Sequence, residues 1–174
     1  MNTLQAIQER YSYRKQYKPD PVPREHLRTI LEAGMAAPSG CNTQTTSMIA
    51  VDDPALVKEI GSMLKAGFGS APAGICVITQ GIVAYDDVTL NVQDYSAAIE
   101  NMLLAVTELG YASCWVEGQV AGDEKVSGTI ARLLGVPEEY AVVAYLPVGI
   151  PAQESTRAQK KPFEQRCWFN GFGK

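Results

Sequence analysis

Residues 10–17 read RYSYRKQY, and with Lys18 they place Arg10, Arg14, Lys15 and Lys18 within nine positions of a chain whose formal net charge is -4. In an extended segment Arg10, Ser12 and Arg14 share one side, whereas in a helix Arg10 and Arg14 share a face. Either geometry converges two guanidinium forks, which match phosphate oxygens bidentately, and a serine hydroxyl adds a neutral donor. The chemistry suggested is a clamp for a phosphate monoester, against the plainer reading of a solvated basic patch. A second stretch, AAPSGCNTQ at 36–44, combines turn-shaping Pro38 and Gly40 with the hydroxyl of Ser39 and the amides of Asn42 and Gln44. Amides that donate and accept suit the edge of a planar heterocycle, although an ordinary helix-to-strand turn has the same composition. A third, CWVEGQV at 114–120, falls at the C-terminal end of an expected strand, and Gly118 permits close backbone approach there.

Other chemistries find little support. GFGSAP at 67–72 begins like a dinucleotide fingerprint but carries Pro72 at the sixth position and precedes a strand instead of opening a helix. No P-loop or nucleophile elbow is present, and the single histidine, His26, is read as an exposed surface residue. Cys41, Cys76, Cys114 and Cys167 form no CxxC pair and are read as reduced, buried, apolar side chains, with no metal site. An acidic balance with pI near 5.0 argues against nucleic acid or anionic membrane as partners. No signal peptide or membrane-length apolar run is read, so the expected location is cytoplasmic.

The elements that must position these residues follow from periodicity. A short helix with Leu4 and Ile7 inward, capped at Asn2 or Thr3, leads into the basic segment. Pro19, Pro21 and Pro23 form a connector to a helix facing inward through Leu27, Ile30, Leu31 and Met35, which Pro38 closes. TSMIAVDD, GICVITQ, YASCWV and YAVVAYLPVG read as strands, and Asp53 caps a helix carrying Leu56, Ile60, Met63 and Leu64. The clearest helix spans Asp87 to Leu109, its inner face formed by Tyr95, Ala98, Ile99, Met102, Leu103, Val106 and Leu109, with Gly110 as a left-handed stop. A later helix carries Val126, Ile130, Leu133 and Leu134 and ends at Gly135. Interleaved helices and strands over 174 residues indicate one α+β or α/β domain. Residues 151–174 read as an aromatic arm that needs a surface to cover it, such as a partner subunit's.

Taken in order, these pieces resemble the FMN-dependent nitroreductase family. RYSYRKQY is similar to its N-terminal Arg-Arg-Ser-x-Arg-x-Phe/Tyr signature, with Arg10, Ser12, Arg14 and Tyr17 in matching positions, and AAPSGCNTQ to its Ala-Pro-Ser-Gly-x-Asn-x-Gln-Pro loop. DYSAAIENMLLAVTELGYASCW resembles its central helix and following strand, and LPVGIP followed by KKPFEQ its last strand and C-terminal segment. Thr45 and Thr46 stand where the family often has Pro-Trp, and Ala158 where it has a second basic residue.

The resemblance implies an α+β fold with a central, mostly antiparallel sheet packed by helices, spanning 1–174 as one domain and working as a homodimer whose arm at 151–174 packs on the partner. Arg10, Ser12 and Arg14 would then hold the FMN phosphate, with Tyr11 in the same contact and help from Arg157, Lys160 or Lys161. Ser39, Asn42 and Gln44 would reach the flavin of the neighbouring subunit, with Pro38 shaping that part of the cofactor site. Glu117 and Gly118 would turn backbone N–H groups toward the flavin near N5 and O4. The implied activity is ping-pong transfer of electrons from NADH or NADPH to a nitroaromatic, quinone or similar planar acceptor, with no catalytic side chain of the protein's own. Reductive dehalogenation, flavin fragmentation and flavin carriage are the alternatives on the same fold.

Overall fold

Asn2 accepts the N–H of Gln5 and starts helix α1 (Thr3–Glu9), and Asp53 accepts those of Ala55 and Leu56 at the start of α3 (Pro54–Met63). Helix α2 (Arg24–Met35) follows Pro23, and α5 (Glu124–Leu134) is capped by Asp123 and stopped by Gly135 at φ 64°. These are the capping residues the sequence carries, but the faces differ in detail. In α1 only Ala6 is buried, and Leu4 and Ile7 stand exposed. In α2, Leu27, Ile30 and Gly34 are buried, while Met35 is 74% exposed. Steps of four residues advance 400°, so the row Leu27, Leu31, Met35 drifts about 80° off the inner face. In α5 only Ile130 is buried, with Val126, Leu133 and Leu134 partly covered.

The computed structural model describes residues 1–174. Strands β1 (Thr46–Val51), β2 (Ala73–Thr79) and β5 (Ala141–Val148) form one antiparallel sheet in the order β1-β2-β5, with Met48 opposite Val77 and Val77 opposite Ala144. Every residue of β2 is buried. Its alternate side chains serve two cores: Ile75 and Val77 pack with α2 and with α4 (Asn91–Glu108), and Cys76 and Ile78 pack with α3 and α5. A period-two strand between two helical layers accounts for the continuous apolar run.

Two expectations need correction at the next elements. The start of α4 is Asn91, not Asp87, because Asp86 and Asp87 adopt φ 48° and 63° and turn a short hairpin between β3 (Val83–Tyr85) and β4 (Val88–Thr89). Two successive left-handed residues make the turn that matches strand twist, and aspartate tolerates that conformation. The YASCWV segment is not a continuous ladder. It meets the edge of β5 only at Ala112 with Gly149 and Val116 with Tyr145, both in antiparallel pairs. The register in between would match Cys114 with Pro147, which has no N–H to donate.

The α4 face holds Tyr95, Ala98, Ile99, Met102, Leu103 and Val106 in the core as expected, and Gly110 follows at φ 79°. The cysteines divide: Cys76 and Cys114 are buried, whereas Cys41 and Cys167 are exposed, since both lie on surface turns. His26 is half-buried rather than exposed, its Nδ1 2.8 Å from the Tyr111 hydroxyl. No helix is long and apolar enough to cross a membrane. Residues 152–174 run along the surface, with Phe163, Phe169 and Phe172 exposed and the Trp168 ring 4.1 Å from that of Phe172 at a tilt of 44°.

Candidate functional site

Beyond α1 the chain is extended. Ser12 bridges Ser113 in parallel, the Tyr13 N–H donates to the Ser113 carbonyl at 2.8 Å, and the fully buried Tyr13 packs edge-on against Tyr17 at 4.9 Å. Tyr13 also donates its hydroxyl to the Gln16 carbonyl, 2.5 Å away. A fixed Tyr13 places its neighbours outward. Arg10, Tyr11, Ser12 and Arg14 line one wall of a cleft of about 660 Å³, and Thr156, Arg157 and Lys160 of the C-terminal segment line the other. Four cations face the cleft and no carboxylate lines it. Arg10 forms an ion pair with Glu100 on α4, 3.2 Å from the Nε, but the geometry is outside hydrogen-bonding direction and the buried Nε–H has no hydrogen-bond acceptor. Arg157 donates to the Gln8 carbonyl at 2.9 Å. Cys114 registers the same field: burial raises its thiol, while Arg14, a Ser12 hydrogen bond and Arg10 pull it back.

Arg14 also borders a second recess of about 270 Å³, shared with Phe68, Cys114, Trp115, Glu117 and Gly118. The Glu117 carbonyl accepts from Val120 and Ala121 at 2.8 Å, which closes a turn, yet the N–H groups of Glu117 and Gly118 donate to nothing in the protein. A Cβ at Gly118 would meet no atom within 4 Å. The glycine therefore leaves space that no protein group fills. Tyr95 fixes this corner by donating its hydroxyl to Glu117 Oε1 at 2.9 Å, and burial together with that hydrogen bond and charge pushes the phenol up to about 12.

The loop after α2 is built differently. Cys41, Asn42 and Gln44 have φ of 49°, 57° and 50°, three left-handed non-glycine residues within four positions. Internal hydrogen bonds hold it: Ser39 Oγ accepts from the Gln44 N–H at 3.0 Å, and the Thr43 hydroxyl donates to the Gly40 carbonyl at 2.8 Å. From α4 the buried Asp94 accepts the Gly40 N–H and the Thr45 hydroxyl, each at 2.7 Å. Gly40 is needed because a Cβ there would run into Leu90. Pro38, Ser39 and Gln44 line a pocket of about 420 Å³ with Leu31, Met35 and Met48, separate from the cationic cleft.

The fold thus assembles Arg10, Tyr11, Ser12, Arg14 and Lys160 in one cleft and, through Arg14, adjoins Glu117 and Gly118 to it. Pro38, Ser39 and Gln44 lie together elsewhere, and Asn42 and Lys161 are exposed and line none of these cavities. Asp94 and Tyr95 escape sequence reasoning. Tyr95 fits the apolar stripe of α4, and the only sign of Asp94 is a carboxylate four residues before the buried Ala98.

The profile of the family described as "Nitroreductase family" matches residues 7–74 and 62–150. A protein of Archaeoglobus fulgidus with "NADH dehydrogenase/NAD(P)H nitroreductase" in its name is 33% identical over 153 residues, 87% of this chain and 86% of its own. One of Methanothermobacter thermautotrophicus with the same words in its name is 31% identical over 154 residues, covering 88% of this chain and 79% of its own. Among solved structures, a nitroreductase with bound FMN from Bacteroides fragilis superposes with a TM-score of 0.81 at 26% identity, over 98% of this chain and 100% of that one.

Proposed function

The chain belongs to the nitroreductase family, and from that premise we propose that it is an FMN-dependent NAD(P)H oxidoreductase. The observation that carries the reading is a cleft lined by four cations and no carboxylate, which opens past Arg14 onto two unpartnered backbone N–H groups at Glu117 and Gly118. A phosphate dianion suits the first part, and the flat edge of a flavin suits the second, where a side chain at residue 118 would otherwise stand.

Arg10, Ser12 and Arg14, joined by Arg157 and Lys160, would hold the phosphate, with Tyr11 forming part of the same wall. FMN held there would supply the redox chemistry, electron transfer from NADH or NADPH to a planar acceptor such as a nitroaromatic or quinone. The protein's part is to orient and to stabilise charge. The N–H groups of Glu117 and Gly118 are held by the turn through Val120 and Ala121, so they need no reorganisation when negative charge develops opposite them. Tyr95 holds the Glu117 carboxylate and keeps that peptide in register.

The Pro38–Gln44 loop is assigned to the flavin of a second protomer, which makes the working unit a homodimer. Ser39 Oγ accepts from Gln44 and keeps its own proton to donate outward. Exposed Leu4, Ile7 and Met35, and Phe163, Phe169 and Phe172 of the arm at 151–174, supply apolar area for that interface.

The test is the visible spectrum of the purified protein after FMN addition and gel filtration, followed by anaerobic NADH or NADPH. A retained flavin band that bleaches within seconds, on a particle of twice the chain mass, is expected. Loss of all flavin on the column would overturn the reading.

A further inference from the structure

We propose that Asp94, which borders the same pocket as Pro38, Ser39 and Gln44, is the positioning residue of the half-site formed by the Pro38–Gln44 loop and acts by fixing that loop in the conformation that meets the flavin. This rests on the FMN reading above. The carboxylate is buried, and its two oxygens take one bond from each end of the strained stretch, the Gly40 N–H before it and the Thr45 hydroxyl after it. Between those two points the backbone passes through three left-handed non-glycine residues, a conformation that persists only where surrounding contacts over-determine it. Ser39 and Gln44 bond each other across the same stretch, so Asp94 anchors on both sides the segment that carries this bond. Asp94 also sits one residue before Tyr95, which fixes Glu117 at the other corner, so a single turn of α4 orients the Glu117 corner for this protomer's flavin and the loop for the second protomer's.

Removing the carboxylate leaves the Gly40 N–H and the Thr45 hydroxyl without acceptors. Asparagine at this position still accepts from Gly40 through Oδ1 and donates to the Thr45 oxygen through Nδ2, so it retains the geometry without the charge. Since the loop addresses the ring system and not the phosphate, the loss should be the same for FMN and for riboflavin.

The experiment titrates FMN and riboflavin into the wild type, Asp94→Ala, Asp94→Asn and Thr45→Val by flavin fluorescence, and follows amide exchange in the apoproteins. Asp94→Ala should weaken both flavins by an equal factor of about ten or more, with exchange at Gly40 and Gln44 accelerated by a similar factor. Asp94→Asn should stay within about threefold of the wild type, and Thr45→Val, which keeps the side-chain volume, should fall between the two. Wild-type affinity in Asp94→Ala, an Asp94→Asn as weak as Asp94→Ala, or a loss confined to FMN would overturn the inference. If Asp94→Ala does not fold, Thr45→Val binding as tightly as the wild type overturns it instead. A wild type that holds neither flavin sinks the oxidoreductase reading and this inference with it, whereas a wild type that binds beside an indifferent Asp94→Ala sinks the inference alone.

Discussion

The cationic cleft and the Pro38–Gln44 loop solve opposite problems. In the cleft the charges are in excess: Arg10, Arg14, Arg157 and Lys160 face one space, and the buried Nε of Arg10 has no hydrogen-bond partner. In the loop the backbone is tied down, through Ser39 with the Gln44 N–H, Thr43 with Gly40, and Asp94 with both Gly40 and Thr45, and only side chains such as the Asn42 and Gln44 amides stand free. On the proposed reading the first would attract a ligand by its surplus of positive charge and tolerate imprecision. The second can only present groups, so its value lies in its shape. Charge should therefore dominate affinity at the phosphate end, and geometry should dominate at the ring end.

Arg14→Ala breaks that contrast most directly. Arg14 is exposed and lines both the cleft and the Glu117 recess, so the loss removes charge with little cost to folding. Charge-assisted hydrogen bonds are worth about 1.5–3 kcal/mol, so FMN should bind about 10- to 100-fold more weakly, while riboflavin affinity changes by less than about threefold. The deficit should shrink as salt screens the wild type. An equal loss for both flavins, read by fluorescence titration, would mean that Arg14 acts on the ring and that the division into two ends is wrong.

Gly67→Ala asks whether the phosphate end also depends on shape. The Gly67 N–H donates to the Arg14 carbonyl at 3.0 Å, and a Cβ at this position would collide with the Lys15 backbone, so the 10–17 segment must move although all of its charges remain. Overpacking of this kind costs about 1–3 kcal/mol, which for a chain of this size lowers the melting temperature by roughly 2–10 °C. FMN should weaken by about three- to tenfold, the geometric share of a clamp that is mostly electrostatic. Unchanged FMN affinity beside a lowered melting temperature would show that charge alone suffices.

The same contrast explains what was legible in the sequence. Arg10, Ser12 and Arg14 declare themselves because a local cluster of donors in an acidic chain is visible in eight residues, although the sequence left extended and helical geometries open and only the burial of Tyr13 in the fold selects the extended one. The strands at 46–51 and 73–79 and the face of α4 were equally local, the strands read from short apolar runs and the helix from its 3.6-residue period. The loop at 36–44 was legible only as a composition. Its conformation is set by Asp94, 54 positions from the Gly40 N–H it accepts, and no period or motif links the two. The break at Cys114 depends in the same way on the missing N–H of Pro147, which sits in a different strand. Long-range partners of single polar groups are what one sequence hides.

Tyr95→Phe is the smallest perturbation, and it tests whether the turn of α4 that joins the two regions matters beyond Asp94. The substitution keeps the ring and removes one hydrogen bond to Glu117, worth about 1–2 kcal/mol at neutral pH. FMN affinity should drop by about two- to threefold, less than in either variant above, because the Glu117 turn keeps its bonds to Val120 and Ala121. The pH dependence gives the hydroxyl its own signature. Its folded value is raised from 10.0 to about 12, so its contribution to stability is complete below pH 10 and is lost as pH rises toward about 12, where only the unfolded chain has already released the proton. Tyr17 and Tyr145 are raised by burial as well, so the wild type destabilises in this range for several reasons. The informative quantity is the difference. The stability gap between the wild type and Tyr95→Phe, from urea melts at successive pH values, should be constant up to about pH 10 and should narrow above it. A gap that stays constant to pH 12 would mean that the Glu117 contact does not hold this proton, and the link between the Glu117 corner and α4 would have to run through packing alone.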